Sequence, residues 1–385
     1  MRLRRRAGGL LLGAAVLFLI GTNVQSGILF VLAALLLGAL VAGLILPFAA
    51  LRGLAATIDA PAQAEQGEAS VVDLRLANGA RGVRWSVLAV DEHLEPATVF
   101  LPAVRPGGDA EVTTLRIPAT RGDAVTTWVE VRSAAPFGVA ERRRRLPVDA
   151  TTLVLPRRFP LGPLPFVEAA ATHDIGIRSA PRLGHGPDFM GVREYRGGDA
   201  MRHVHWGLTA RHGQIMVREF EEERTRRLAI VVDTERDEGE AWTPLDRACA
   251  VAASVLDAAL AQGHGARVAA AVEGRTEVLS RERGDEMHRW LARLGPTGTR
   301  LVDALRALPT DALRGVGTLI VTFPVWQGTD LGAVADAVAG TVPRVVLVPV
   351  LGAEDPPCPP LDGVEIRPWR EGEDLAVALA ARGPS

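Results

Sequence analysis

The chain has 385 residues, enough for two or three domains with cores of their own, which excludes a single small module. Its 43 basic and 45 acidic residues leave a net charge of −2 and no global field of the kind that gathers nucleic acid, so no nucleic-acid partner is expected. Apart from histidine every basic side chain is Arg, a compositional bias without functional weight. The two cysteines, Cys249 and Cys358, stand in neither a paired nor a metal-type spacing, which fits a reducing compartment.

The first predicted elements are apolar helices. Residues 7–51 form a stretch of 45 without one charge, which as a single helix at ~1.5 Å per residue is about twice the hydrocarbon thickness of a bilayer. The stretch must fold back, and the polar, glycine-flanked residues 21–27 supply the turn. Residues 1–52 are therefore read as two transmembrane helices. A cleaved signal peptide competes for the first arm, because Arg2, Arg4, Arg5 and Arg6 precede Leu10, Leu11 and Leu12. Against it, no Ala-x-Ala site follows and a second long apolar run comes at once. The positive-inside rule keeps the Arg cluster in the cytoplasm, puts the uncharged turn outside and returns the chain to the cytoplasm at Arg52. The expected location is the inner (plasma) membrane, multi-pass, with the soluble domains cytoplasmic.

Residues 57–156 show short alternating stretches at 70–77, 83–90, 111–117 and 126–132, separated by turn signals such as Asn78-Gly79 and Pro106-Gly107-Gly108. Period-two patterning with regular turns predicts an antiparallel, Ig-like β-sandwich. Arg142, Arg143, Arg144 and Arg145 form the basic run of this region. A solvated strand edge protected by charge is preferred for it over contact with anionic lipid headgroups, with contact with another protein as a third use. Residues 157–183, rich in Pro, Gly and Ala, read as a linker. From 226 to 385 the pattern becomes α/β, with buried strands expected at 228–232, 266–272, 319–323 and 345–350. A helix begins at Thr243 as N-cap with Pro244 in its first position and stops at Gly263, and further helices are expected at 285–294, 301–308 and 331–338. This alternation implies a doubly wound sheet. The fold class is thus α+β multidomain: a transmembrane hairpin, a β-sandwich and an α/β domain.

Residues 184–225 are the most distinctive. Gly197-Gly198 reads as a turn and Asp199 as the N-cap of a helix running to about Arg211, followed by a strand over 214–220. This gathers Arg193, Arg202, Arg211 and Arg218 near Glu194, Asp199, Glu219 and Glu221. A metal site of His203, His205 and His212 is disfavoured, since helical residues two apart point about 200° away from each other. An anion site of Arg193, Arg202 and the helix start is weakened by the nearby carboxylates. The preferred reading is a lattice of Arg–carboxylate pairs, with Tyr195 and Trp206 packed into it, locking the segment to the α/β domain; surface recognition is a further use.

The sequence Val192-Arg193-Glu194-Tyr195, then Gly198-Asp199, Arg202 followed by His205-Trp206, Ala210-Arg211 and Val217-Arg218-Glu219-Phe220, resembles the signature of the bacterial family called domain of unknown function fifty-eight. Two N-terminal spans, Ala135-Pro136-Phe137-Gly138 near the end of a β-rich domain, and a following von Willebrand factor A-like domain are similar to that family's layout. The resemblance implies no established reaction. It does imply association with MoxR-type AAA+ ATPases in systems thought to act as chaperones or assembly factors. It also implies a place to look for a metal: such A-like domains hold Mg²⁺ through an Asp-x-Ser-x-Ser loop, a Thr and a further Asp. Here Asp233 is in place, but Glu235 and Asp237 stand where the serines would be. Thr299 suits the second loop, and no Asp follows the strand at 319–321, so no metal or other cofactor is expected.

These readings converge on a membrane-tethered, non-enzymatic scaffold or adaptor that offers the Asp233 crevice and the Arg-rich segment to a cytoplasmic protein partner. No small-molecule substrate is identified. The alternative is a metal-dependent hydrolase using Asp233, Glu235 and Asp237 with a nearby His; a third class, a receptor for an extracellular ligand, requires the body outside the cell.

Overall fold

The computed structural model describes residues 2–3, 5–90, 94–95, 98–167, 189–195, 204–220, 227–280, 284–309, 311–325, 329–361 and 363–380, with backbone alone at 2, 3, 5, 94, 95, 189–193, 212 and 218–220. The chain divides into two compact units, one carrying residues 1–157 and the other most of the remainder.

In the first unit, strand β1 (Arg2–Leu3) precedes helices α1 (Arg5–Val24) and α2 (Gly27–Ala50), both long and apolar enough to cross a membrane. The break falls at Gln25-Ser26, inside the polar turn expected from sequence. Large apolar side chains on both helices, including Leu12, Leu19, Ile28 and Leu35, face outward. In water each forfeits roughly 1.5–3 kcal/mol relative to burial.

Ten short elements follow or flank this hairpin: β2 (Leu54–Asp59), β3 (Gln63–Glu65), β4 (Ser70–Asn78), β5 (Arg84–Val90), β6 (Leu94–Glu95), β7 (Thr98–Val104), β8 (Asp109–Arg116), β9 (Gly122–Ser133) and β10 (Ala140–Leu155), with β1 joining them. They form a sheet in the order β1-β10-β9-β5-β7, with β3 also on β10, and a second sheet in the order β2-β4-β8-β6. Every pairing is antiparallel except β3 with β10. Alternate residues of both sheets, such as Leu74 and Leu76 from one and Val87, Val129, Val131 and Leu146 from the other, close one core. The domain therefore starts at Leu54 and not at residue 57, because Leu54 and Ala56 already belong to that core. The run at 142–145 lies within β10, whose alternation is masked in the sequence by four identical charges.

In the second unit, residues 158–167, expected as linker, are instead packed. The Phe159 N–H donates to Ser254 Oγ at 2.9 Å, its ring meets Trp242 and Trp369 edge-on, and Leu164 and Phe166 are fully buried. Three large apolar residues spaced among prolines gave no periodic signal, but their burial outweighs it. Beyond lie β11 (Phe189–Glu194), α3 (Trp206–His212) and β12 (Met216–Phe220), the two strands pairing antiparallel.

The rest is β13 (Arg227–Val232), α4 (Pro244–Ala261), β14 (Gly265–Val272), β15 (Arg275–Leu279), α5 (Gly284–Arg293), α6 (Leu301–Arg306), β16 (Val316–Pro324), α7 (Leu331–Val338), β17 (Arg344–Leu351), β18 (Glu365–Ile366), β19 (Trp369–Arg370) and α8 (Leu375–Ala380). The sheet order is β15-β14-β13-β16-β17-β18, with β19 also on β17. All pairs are parallel except the β14–β15 hairpin. Ala229, Val231, Leu319 and Val321 pack with Leu301, Leu305, Val334 and Val338 of α6 and α7. From the opposite face Thr322 reaches the Ala248 carbonyl of α4. Helices thus cover both faces, which is why β13, β16 and β17 read as continuous apolar runs. Helix α4 is fixed by a capping box between Thr243 and Asp246, with Pro244 in its first turn, as the sequence predicts.

Candidate functional site

In the parallel sheet the chain passes from β13 outward to β14, then crosses back to β16 on the other side of β13. The strand order therefore reverses between β13 and β16, and the crevice at their carboxyl ends is where open α/β sheets place ligands. Asp233 sits there, buried, its N–H bonded to the Thr322 carbonyl at 3.0 Å and its Oδ1 accepting the Glu235 N–H at 2.8 Å. Burial pushes its carboxyl up to about 7; the Glu235 N–H opposes this, the Glu235 charge adds to it and Arg236 subtracts.

The other carboxylates of this loop point elsewhere. Glu235 accepts from the Leu301 N–H at 3.4 Å, at the start of α6. Asp237 accepts from Thr243 Oγ1 at 2.8 Å and from the Leu245 N–H at 3.2 Å, at the start of α4. Each carboxylate neutralises a helix N-terminus, so the three diverge instead of converging. Among the described residues no group of three His, Cys, Asp or Glu side chains is placed to hold a metal ion. The set Asp233, Glu235 and Asp237 therefore does not assemble the centre that a metal-dependent hydrolase requires.

Thr299 is not the threonine that meets the first loop. Thr297 is: its Oγ1 lies 3.2 Å from Thr234 Oγ1 and donates to the Thr234 carbonyl at 3.1 Å, while Thr299 only gives its backbone N–H to Thr297 Oγ1 at 3.3 Å. Thr234 in turn donates to the Ala271 carbonyl at 2.8 Å. The crevice floor is thus a lattice of threonine hydroxyls and backbone, closed on itself. Sequence reasoning passed over Thr234 and Thr297; two threonines flanking the candidate loops were the available signal.

In the Arg-rich segment the helix begins later than expected. Val204 bridges Val217, and His205 is the N-cap of α3, its Nδ1 accepting the Leu208 N–H at 3.3 Å. Capping engages Nδ1, one of the two ring nitrogens of His205. Asp199, the expected cap, lies outside the described residues, as do Gly198 and Arg202. Gly213, with φ of 69°, ends the helix in the left-handed conformation open to glycine. Helix α3 is tied to β12 by the His205 N–H to the Met216 carbonyl and by Thr209 Oγ1, which accepts the Met216 N–H.

Arg193 and Glu219 belong to the β11–β12 ladder, where Arg193 faces Val217 and Gly191 faces Glu219. Glu194 and Arg211 are exposed. Trp206 was expected inside an ion-pair lattice but is 64 % exposed, and Tyr195 is 36 % exposed. Trp206 occupies the first position of a helix of about two turns, too short to turn every face inward. Both aromatic side chains are therefore at the surface.

Among known proteins the chain is similar to the uncharacterized protein YeaD of Bacillus subtilis (strain 168), at 28 % identity over 181 residues, 46 % of this chain. That alignment spans 42 % of the relative's length. Among solved structures, the CARDB domain of a Pyrococcus furiosus protein covers 26 % of this chain and 94 % of its own at 11 % identity and a TM-score of 0.20. The alkylpurine DNA glycosylase AlkC of Pseudomonas fluorescens covers 29 % of this chain and 33 % of its own at 14 % identity and a TM-score of 0.17. Superposition at that level says nothing of fold or activity. The region from β11 to α8 is another matter: residues 191–381 match the family described as "Protein of unknown function DUF58", and the chain belongs to that family.

Proposed function

We propose that this protein is a non-enzymatic scaffold tethered to the inner membrane by α1 and α2, with both soluble units in the cytoplasm. In this reading the second unit is a von Willebrand factor A-like domain that docks a protein partner, a MoxR-type AAA+ ATPase in chaperone-like or envelope-assembly work. One observation carries it. Arg2 and Leu3 pair with Glu141 and Ala140 of β10, so the start of α1 and the β-sheets following α2 lie together. A hairpin whose two ends meet on one side, with an outward apolar surface between them, is what a bilayer accepts and water does not.

The crevice supports docking over chemistry. Its acidic loop spends Glu235 and Asp237 on helix caps, and its hydroxyls on one another. Outside the crevice, the β11–α3 segment exposes Tyr195 and Trp206, residue types that anchor interfaces.

The experiment is affinity purification of the full chain from detergent-solubilised membranes, beside the Trp206→Ala variant. Recovery of an AAA+ ATPase with the parent chain, reduced in the variant, is the expected outcome. Recovery of none, or equal recovery from membranes lacking the bait, overturns the proposal.

A further inference from the structure

Arg142–Arg145 is a run of four identical charges, and the pleat of β10 sorts it into two pairs. Arg143 and Arg145 share a face with Glu141 and lie across from Arg132 and Glu130: Arg143 bonds Glu141 at 2.7 Å, and Arg145 stacks over Trp128 at 4.1 Å. Arg142 and Arg144 share the other face with the core residue Leu146 and come to the last turn of α2. There Arg142 lies 4.6 Å over the Phe48 ring, and Arg144 donates one N–H to the Leu51 carbonyl at 2.9 Å, capping the helix. Among the described residues neither is paired with a carboxylate, nor is Arg52 beside them.

These arginines line an open cleft of about 440 Å³ with Ile45, Phe48, Ala49 and Leu51. Its composition is mixed: aliphatic and aromatic surface from α2, two guanidinium groups from β10 and a third from Arg52, just past the helix. Helix α2 is 24 residues, or roughly 36 Å at the α-helical rise, so its last turns reach the headgroup layer of a ~30 Å hydrocarbon core. Phe137 stands exposed beside the same helix, where Gly43 lets the chain at 137–139 approach.

We propose that this cleft binds an anionic phospholipid of the adjacent leaflet, its phosphate held by Arg52, Arg142 and Arg144 and the first part of its acyl chains laid along Ile45 and Phe48. Guanidinium forks match phosphate oxygens, and a low-dielectric floor strengthens the attraction. On the opposite face Arg143 already has carboxylate partners and Arg145 covers the Trp128 ring, so neither is placed as Arg142 and Arg144 are against the cleft. The site rests on the membrane-anchor reading and adds a chemical preference to it.

The test uses the full chain in a zwitterionic detergent, followed by thermal unfolding with short-chain phosphatidylglycerol, phosphatidylcholine of the same chain length, or inorganic phosphate. Phosphatidylglycerol is expected to raise the unfolding temperature saturably, and Arg142→Gln to raise the half-saturating concentration about tenfold, as the loss of one charge-assisted contact implies. Arg142→Gln/Arg144→Gln abolishes the response, while Arg275→Gln/Arg314→Gln, exposed residues of the second unit that do not line the cleft, leaves it intact. An equal response to phosphatidylcholine or to inorganic phosphate, or an unchanged one in Arg142→Gln, overturns the lipid site. Because Arg144 also caps α2, the single Arg142 variant keeps the test valid if the double variant fails to fold. Carbonate washing of the membranes separates the two proposals: a chain that stays in the pellet but ignores phosphatidylglycerol keeps the anchor and loses the site.

Discussion

Asp233 offers a sharp perturbation. Its carboxyl is buried at the switch point and titrates near 7, against an ordinary value near 4 in an unfolded chain. Between those values the folded form holds a proton that the unfolded form has released. Stability is therefore greatest below about pH 4 and falls as pH rises through about 7, by roughly 1.4 kcal/mol per pH unit and by about 4 kcal/mol at most. Asp233→Asn keeps the oxygen that accepts the Glu235 N–H and removes the titration. Its amide brings a buried donor that costs roughly 1–2 kcal/mol if unpaired. At pH 8 the variant should be more stable than the parent by about 2 kcal/mol, and near pH 5 the advantage should vanish or reverse. Hydrogen exchange of the β13 peptide across a urea series at both pH values reads this unit apart from the β-sheets. Parallel pH dependence in parent and variant would refute the reasoning, because all other titrating groups are common to both.

Three further outcomes follow from packing and caps. Gly43→Leu should unseat α2 from β10, since even a Cβ there meets Val139 at 2.6 Å; a loss of about 1–3 kcal/mol is expected, read as a lower unfolding temperature of the first unit, while Gly38→Leu, in open space, should be silent. Thr243→Ala removes the N-cap of α4 and the donor to Asp237, costing about 1–2 kcal/mol in urea unfolding of the second unit. Burial raises the Asp257 carboxyl, but His288 at 2.6 Å and Arg158 outweigh this and hold it below its usual value, so its contribution is present above pH 4 and lost on acidification through the lowered value. As Asp257 is 43 % exposed, Asp257→Asn should cost only about 0.5–1 kcal/mol at pH 7 and progressively less on acidification, by the same urea unfolding.

The elements easiest to read were those in which one physical rule acts alone. The charge-free stretch, the Thr243-Pro244 start of α4 and the apolar runs of β13, β16 and β17 each carry such a signal, and each is where it was expected. Of strand β10 only a charged edge at Arg142–Arg145 was read, because four like charges hide its period, and β7 was missed because Pro102 sits inside it. The packed stretch at 158–167 resembled a linker because its burial depends on Trp242 and Trp369, far away in sequence. At the crevice, sequence placed Asp233 correctly but could not say where Glu235 and Asp237 point, since helix N-termini from α4 and α6 decide it. Trp206 looked like core and lies at the surface, a matter of helix length that begins only at His205.

The account stands on α1 and α2 crossing the bilayer with the sheets on the cytoplasmic side. Single cysteines at Asn23, in the last turn of α1 beside the break, and at Glu68, in an exposed turn of the first unit, placed in a Cys249→Ser/Cys358→Ser background, test this by labelling intact cells with a membrane-impermeant maleimide. Asn23→Cys should react in intact cells and Glu68→Cys only after permeabilisation. Equal labelling of both positions, or reaction of Glu68→Cys alone, would contradict it.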